Sequence, residues 1–274
     1  MVVLNLEFIT KVLPPRRKPD VLRRQRLVDF LHEHVNLKVQ TISAPAGYGK
    51  TTLLVDFASD TDIPLCWYSF NSSDQDLNVF FDTLLTAIRY RFPEFGKKTE
   101  AMIRSSVDIT KEVNRIIGFL TGEMHTDIPE YFILVLEDYH LVESDNTLKS
   151  VLELLLERAP VNCHFIITSR TPIELSVLNK LRLQRDIARL EILDLSFTSV
   201  EVRQLLADYY NIQLSESEAQ KLAAQSEGWI AGILLGISTS FQSQLPDARV
   251  QLSSQDVFNY LASEVYEKQS PEIK

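Results

Sequence analysis

The run Ala44-Pro45-Ala46-Gly47-Tyr48-Gly49-Lys50-Thr51-Thr52 constrains this chain more than any other segment. Only 8 glycines occur in 274 residues, so a pair held one residue apart is a placed feature. Val39 to Ala44 before it reads as a short buried strand, and Lys50 to Ser59 after it reads as a helix with Leu53, Leu54 and Phe57 turned inward. Strand, glycine turn and helix in that order make an anion cradle. Glycines let backbone N–H groups turn toward an anion in conformations that a side chain obstructs. The helix adds the positive end of its dipole. The run fits G-x-x-x-x-G-K-[ST] at every position but the first, where Ala44 replaces Gly. Lys50 then brings a mobile charge to the β and γ phosphates of a nucleotide, Thr51 a hydroxyl to Mg²⁺, and Thr52 a reach to the α phosphate. An incidental glycine turn is the plainer alternative, and it leaves the flanking strand and helix to coincidence.

The rest of the chain alternates in the same way. Pro64 to Phe70, Tyr131 to Asp138, Asn162 to Thr168 and Ile187 to Leu193 read as further strands. Helical spacing separates them: Leu77 to Ile88 behind an Asp76 cap, 98–124 with a break near Asp108, 146–158, and Ile173 to Leu183 after Pro172. This alternation predicts an α/β fold with a parallel sheet. Tyr131 to Leu136 is apolar on both faces, as a central parallel strand requires. After Asp194 only helices are expected, at 198–210, 215–226, 228–242 and 253–267, which puts a boundary near residue 195.

Glu137-Asp138 closes the third strand as a Walker B pair would, with Glu137 at the metal position and Asp138 orienting the attacking water. Two solvated acids at a strand end are the simpler alternative. Arg170 follows the fourth strand, and if that strand lies between the loop strand and the acidic strand, Arg170 faces the γ-phosphate and senses it. Otherwise it is a surface arginine. His140 is a relay to Asp138 or a structural histidine, and the remaining histidines form no spaced metal set. Gly228, Gly232 and Gly236 at i, i+4, i+8 predict a helix face that lets another backbone come close. The basic run 16–26 is read as a partly paired surface packing on the core, with phosphate or partner contact as the alternative.

Composition removes several classes. Lys plus Arg is 28 and Asp plus Glu is 37, a formal charge of −9, so the chain lacks the global field of a nonspecific nucleic-acid binder. Two cysteines, Cys66 and Cys163, supply neither a disulfide framework nor a four-ligand zinc site, and they are expected as free, buried thiols. The N-terminus has no basic run ahead of its apolar residues, and no apolar stretch reaches a membrane span. A cytoplasmic location without membrane contact is the expectation.

In order along the chain, SAPAGYGKTTLL, CWYSFNSSDQD, LVLEDYHLV, ITSR and SEGWIAGILLG resemble the MalT-like STAND ATPases, large ATP-binding regulators that often end in a LuxR-type DNA-binding domain. LPPRRKPDVLRRQRLVDFL also looks like that family's approach to the loop. The resemblance runs from about Thr10 to Ile273 and departs from the family at Glu137, where Asp is usual, and at Ile230, where Pro is usual. It implies a P-loop NTPase domain with a five-stranded parallel sheet in the order 2-3-4-1-5, followed by a small all-helical domain. It implies segments at 1–35 (approach), 36–195 (P-loop domain), 196–250 (helical lid) and 251–274 (start of a winged-helix domain), so that the sequence reads as a piece of a longer regulator. Gly228 to Gly232 would close the lid over the nucleotide, and Val21 to Arg24 would lie on the adenine side.

The implied function is an ATP/ADP switch with Mg²⁺, slow in hydrolysis and oligomeric when activated. An inducer, either a small molecule or a protein, would act on other domains, and DNA would be met only through a C-terminal domain. Two rivals stand beside it. One is a nucleotide-dependent scaffold that no longer hydrolyses, which the Ala44 and Glu137 departures favour. The other is a small-molecule kinase, for which the helical region offers no recognisable acceptor lid.

Overall fold

In the computed structural model, residues 8–234 are described. Positions 235–274 lie outside them, including Gly236, the rest of the expected lid and the expected winged-helix start. The sheet has five parallel strands, β1 (Val39–Ser43), β2 (Leu65–Ser69), β3 (Phe132–Glu137), β4 (Cys163–Ser169) and β5 (Ile187–Leu190), ordered β2-β3-β4-β1-β5. This is the expected order, and it sets β4 between β3 and β1. Every residue of β3 and of β4 is buried, which is why both read as unbroken apolar runs.

Side chains alternate across the sheet and build two cores. Val39, Tyr68, Leu134 and Phe165 face α4 (Leu77–Arg89), α6 (Ile109–Asp127), α7 (Asn146–Arg158) and α8 (Ser176–Gln184). Ile42, Trp67, Val135 and Ile166 face α2 (Gln25–Glu33) and α3 (Lys50–Ala58). α1 (Ile9–Val12) rests beside β2 and α4, where Lys11 pairs with the buried Asp74. Asp76 caps α4 as expected, accepting from Asn78 N at 2.8 Å. The expected break near Asp108 separates α5 (Lys97–Ser105) from α6, and its carboxylate accepts from Thr110 N at the start of α6. Cys66 and Cys163 are free and buried, and burial pushes the Cys163 thiol up to about 12. No helix among the described residues is long and apolar enough to cross a membrane.

Two expected boundaries move, one because of a local capping contact and one because of a contact distant in sequence. The fifth strand ends at Leu190 instead of Leu193, since Asp194 accepts from Glu191 N at 2.8 Å and starts α9 (Ile192–Leu195). Helix α8 begins at Ser176 rather than Ile173, because Glu153 of α7 accepts from Ser176 N and from its hydroxyl, the latter at 2.7 Å.

Beyond α9 the chain forms α10 (Ser199–Tyr210) and α11 (Glu216–Gln225), then a helical stretch over 230–234. These have a third core of Phe197, Val202, Leu205, Leu206 and Ile233, into which the approach segment inserts Leu22. The basic run is largely paired. Arg17 bonds to Asp56 of α3, and Arg23 to Asp60. Arg24 and Arg26 both bond to Glu201 of α10. Arg24 also donates to the Leu195 and Ser196 carbonyls at 2.7 and 2.9 Å and lies 4.2 Å over the Phe197 ring. Glu201 keeps Arg26 when Arg24 is removed, but the Leu195 carbonyl then loses its donor and Phe197 its covering guanidinium. Arg24→Ala should therefore lower unfolding stability by about 2 kcal/mol in denaturant titration, whereas the half-exposed Arg23→Ala should change it by under about 1 kcal/mol.

Candidate functional site

The loop after β1 has the backbone that its glycines predict. Gly47 and Gly49 take left-handed φ values of 82° and 80°, and Gly49 stands directly before α3. Ala44 is not among the described residues with positive φ, and it is 2% exposed in the core below the loop. Alanine in that first position therefore brings no backbone strain. Pro45 and Ala46 complete the turn, and Tyr48 packs into the α2–α3 side core with its phenol pushed up by burial.

Lys50 is 8% exposed and donates to the Ala44 and Pro45 carbonyls at 2.6 and 3.1 Å. Burial brings its ammonium down to about 8, against the opposing pull of Asp138. Gly47, Lys50, Thr51, Thr52, Asp138 and Arg170 share a cavity of about 300 Å³ with three residues of the helical region, Ile230, Ala231 and Leu234. The sheet order thus brings together the loop, the second acid and Arg170, which are far apart in sequence.

Glu137 lies beneath this cavity at 4% exposure. Its carboxylate accepts from the Thr51 hydroxyl, from Ser69 Oγ at 2.8 Å and from Trp67 Nε1 at 3.2 Å. Burial raises its pKa, and those hydrogen bonds oppose the rise. Asp138 has a left-handed φ of 61°, and its N–H donates to Thr168 Oγ1 at 3.0 Å. That turn separates the two acids, one held below the loop and one facing the cavity. His140 Nδ1 is 3.8 Å from Asp138 Oδ1, beyond hydrogen-bond reach. Among the described residues no group of three or more His, Cys, Asp and Glu gathers as a metal site. The Thr51 and Glu137 pair nonetheless suits magnesium, a hard cation that takes few protein oxygens and fills its shell with phosphate and water.

Sequence reasoning missed Trp67 and Ser69, although their spacing two apart at the end of a strand placed them on one face. It also missed what Trp229 does. The Trp229 indole N–H donates to the Ala46 carbonyl at 2.9 Å. A Cβ on Gly47 would come within 2.6 Å of that indole nitrogen and 2.8 Å of Ala231 Cβ. The glycine seam is corrected here. Gly228 is not helical; it has φ +69°, and a Cβ there would meet Phe197 N at 2.6 Å. Gly232 makes room for the Trp229 ring, 2.5 Å from a Cβ at that position. Gly228 thus does admit a second backbone, that of Phe197, but from a turn rather than a helix face, while Gly232 admits an indole. In the approach segment, Leu22 and Arg24 are engaged by the helical region and do not line the 300 Å³ cavity.

No family model matches the chain. It is similar to the HTH-type transcriptional regulator MalT of Yersinia pestis, with 29% identity over 268 residues, 94% of this chain and 29% of that protein. MalT of Yersinia enterocolitica is 27% identical over 270 residues. The chain therefore spans less than a third of the curated relatives it matches. Among solved structures, the Walker-type ATPase PABY2304 of Pyrococcus abyssi aligns with a TM-score of 0.50 and 13% identity, over 92% of this chain and 74% of that one. That likeness is one of fold.

Gly47→Ala should force Trp229 off the loop, because it combines a left-handed backbone with a clash. Gly49→Ala has the same backbone cost and nothing within 4 Å to meet. Tryptophan emission should shift to the red by a few nanometres in the first variant and stay in place in the second.

Proposed function

We propose that this chain is the ATP/ADP-binding switch module of a STAND-type signal-transducing transcriptional regulator. The observation that carries this reading is the joining of the phosphate loop to the acidic strand end through Thr51 and Glu137, with Trp229 of the helical region seated on the same loop. Walker-type architecture and similarity to MalT regulators support it.

In this reading Lys50 leaves the Ala44 and Pro45 carbonyls for the β and γ phosphates. The backbone N–H groups from Gly47 to Thr52 hold the remaining phosphate charge. Thr51 binds Mg²⁺ and Glu137 holds its water shell; the ion neutralises phosphate charge when bound. Asp138, turned toward the cavity, orients the attacking water, and Arg170 senses the γ-phosphate. Trp229 ties the helical region to the loop, so that occupancy of the cradle is felt beyond the P-loop domain. Slow hydrolysis suits a switch whose output is the lifetime of each state. The P-loop domain at 36–195, the lid at 196–250, assembly into homo-oligomers, an inducer acting on other domains and DNA contact through a further domain all belong to this proposal, as does a cytoplasmic location.

The second reading is a nucleotide-dependent scaffold without hydrolysis. The longer Glu137 side chain, already held by three donors, favours it.

Lys50→Ala should weaken ADP binding roughly a hundredfold in calorimetric titration with the far-ultraviolet dichroism unchanged. Unaltered affinity would remove the central assignment. Lys50-dependent phosphate release from ATP separates the switch from the scaffold.

Proton linkage gives a further expectation. Because the folded Lys50 titrates near 8 and an ordinary lysine near 10.5, the folded site disfavours its charged form. Its contribution to stability therefore increases as pH rises between those values. Ligand affinity moves the other way, since the deprotonated amine no longer attracts phosphate. ADP affinity should fall as pH climbs from 7 to 9, and Lys50→Arg should flatten that dependence.

A further inference from the structure

A second, larger cavity of about 1150 Å³ lies beside the phosphate loop, and Arg170 lines both. It occupies the crevice outside the C-terminal ends of β1, β4 and β5, the usual ligand position in open parallel sheets. Its floor is unlike the rest of that sheet face. Val39, Phe165, Ile167 and Ile187 on the α7–α8 side belong to the apolar core or pack on it. By the two-residue period, Thr41, Ser43 and Arg189 come next on the same face, and all three line the cavity. Polar residues thus replace apolar ones where α8 stops covering the sheet.

The charges in this crevice are unequally satisfied. Arg189 Nε is buried without a hydrogen-bond partner, and its nearest carboxylate oxygen, on Glu191, is 3.9 Å from Nη1. Arg182 lines the same cavity, and burial and the charge of Arg182 both lower the Arg189 pKa. The acids in the wall offer little relief. Glu153 is engaged in capping α8 and Asp194 in starting α9, while Glu174 and Glu191 are exposed. A covered guanidinium edge of Arg189, with Arg182 also lining the cavity, is matched by an oxyanion near both side chains. The volume suits a small molecule.

We propose that this crevice binds a small oxyanion, a carboxylate or a phosphate ester, held between Arg182 and Arg189 with the Thr41 and Ser43 hydroxyls beneath it. The site is distinct from the phosphate loop and stands whether or not the loop takes a nucleotide.

The test is a titration of ¹⁵N-arginine-labelled chain with inorganic phosphate and, separately, with citrate, following the Nε–Hε signals. It is run on the Lys50→Ala background, so that the phosphate loop does not contribute. Arg189→Gln and Arg182→Gln assign the two signals. Both should move together and saturate at about 1–10 mM anion, a weak affinity typical of a fragment. Arg189→Gln should weaken the binding reported by Arg182 tenfold or more, with a melting temperature matching the parent. Saturation by phosphate alone assigns the phosphate-ester class, and saturation by citrate alone the carboxylate class. Shifts that stay linear with concentration, no shift with either anion, or affinity unchanged in Arg189→Gln would overturn the proposal.

Discussion

The buried Glu137 carboxylate is the interaction on which the arrangement of the site depends. It sits at the end of a strand whose every residue is buried, and it gathers donors from the loop helix and from the neighbouring strand. A charge in such surroundings is stable only when its hydrogen-bonding capacity is filled. Thr51, Ser69 and Trp67 fill it, and in doing so they fix α3 against β2 and β3. The phosphate loop is therefore braced from below before any ligand arrives, and such preorganisation lets a cradle bind without first ordering itself.

Braced from below, the loop is also held from above. Trp229 bonds to Ala46, and Lys50 bonds to the two preceding carbonyls. Three consecutive loop carbonyls are thereby satisfied by side chains of quite different origin. Two of those bonds come from the lysine that a phosphate would draw away. The third comes from the helical region, whose own position is set by Arg24 and Arg26 on Glu201. A change of charge in the cradle consequently acts on the loop at carbonyls directly before the one that the helical region contacts.

Local signals made much of this legible in the sequence. The loop announces itself because glycine conformation, strand and helix are all encoded within some twenty residues. Unbroken apolar runs gave away β3 and β4, since only a central parallel strand is buried on both faces. What stayed hidden was set partly by contacts between distant segments, as where Glu153 decides where α8 begins, and partly by a short capping box, as where Asp194 stops β5 at Leu190. The spacing of Gly228 and Gly232 suggested one helix face, but Gly228 turns the chain beside Phe197 and Gly232 makes room for an indole, which spacing alone does not distinguish. The order of the strands followed from resemblance to a family, not from any periodicity in the chain.

The early end of β5 has a consequence for the molecule as a whole. β5 is an outer strand of the sheet, and outer strands present unpaired amide and carbonyl groups on which another chain can extend the ladder. With only four residues, β5 offers little length for such pairing. The turn into α9 then directs the backbone away from the strand line. A residue pair that serves locally as a helix start thus also limits fibrous self-association along this margin of the sheet.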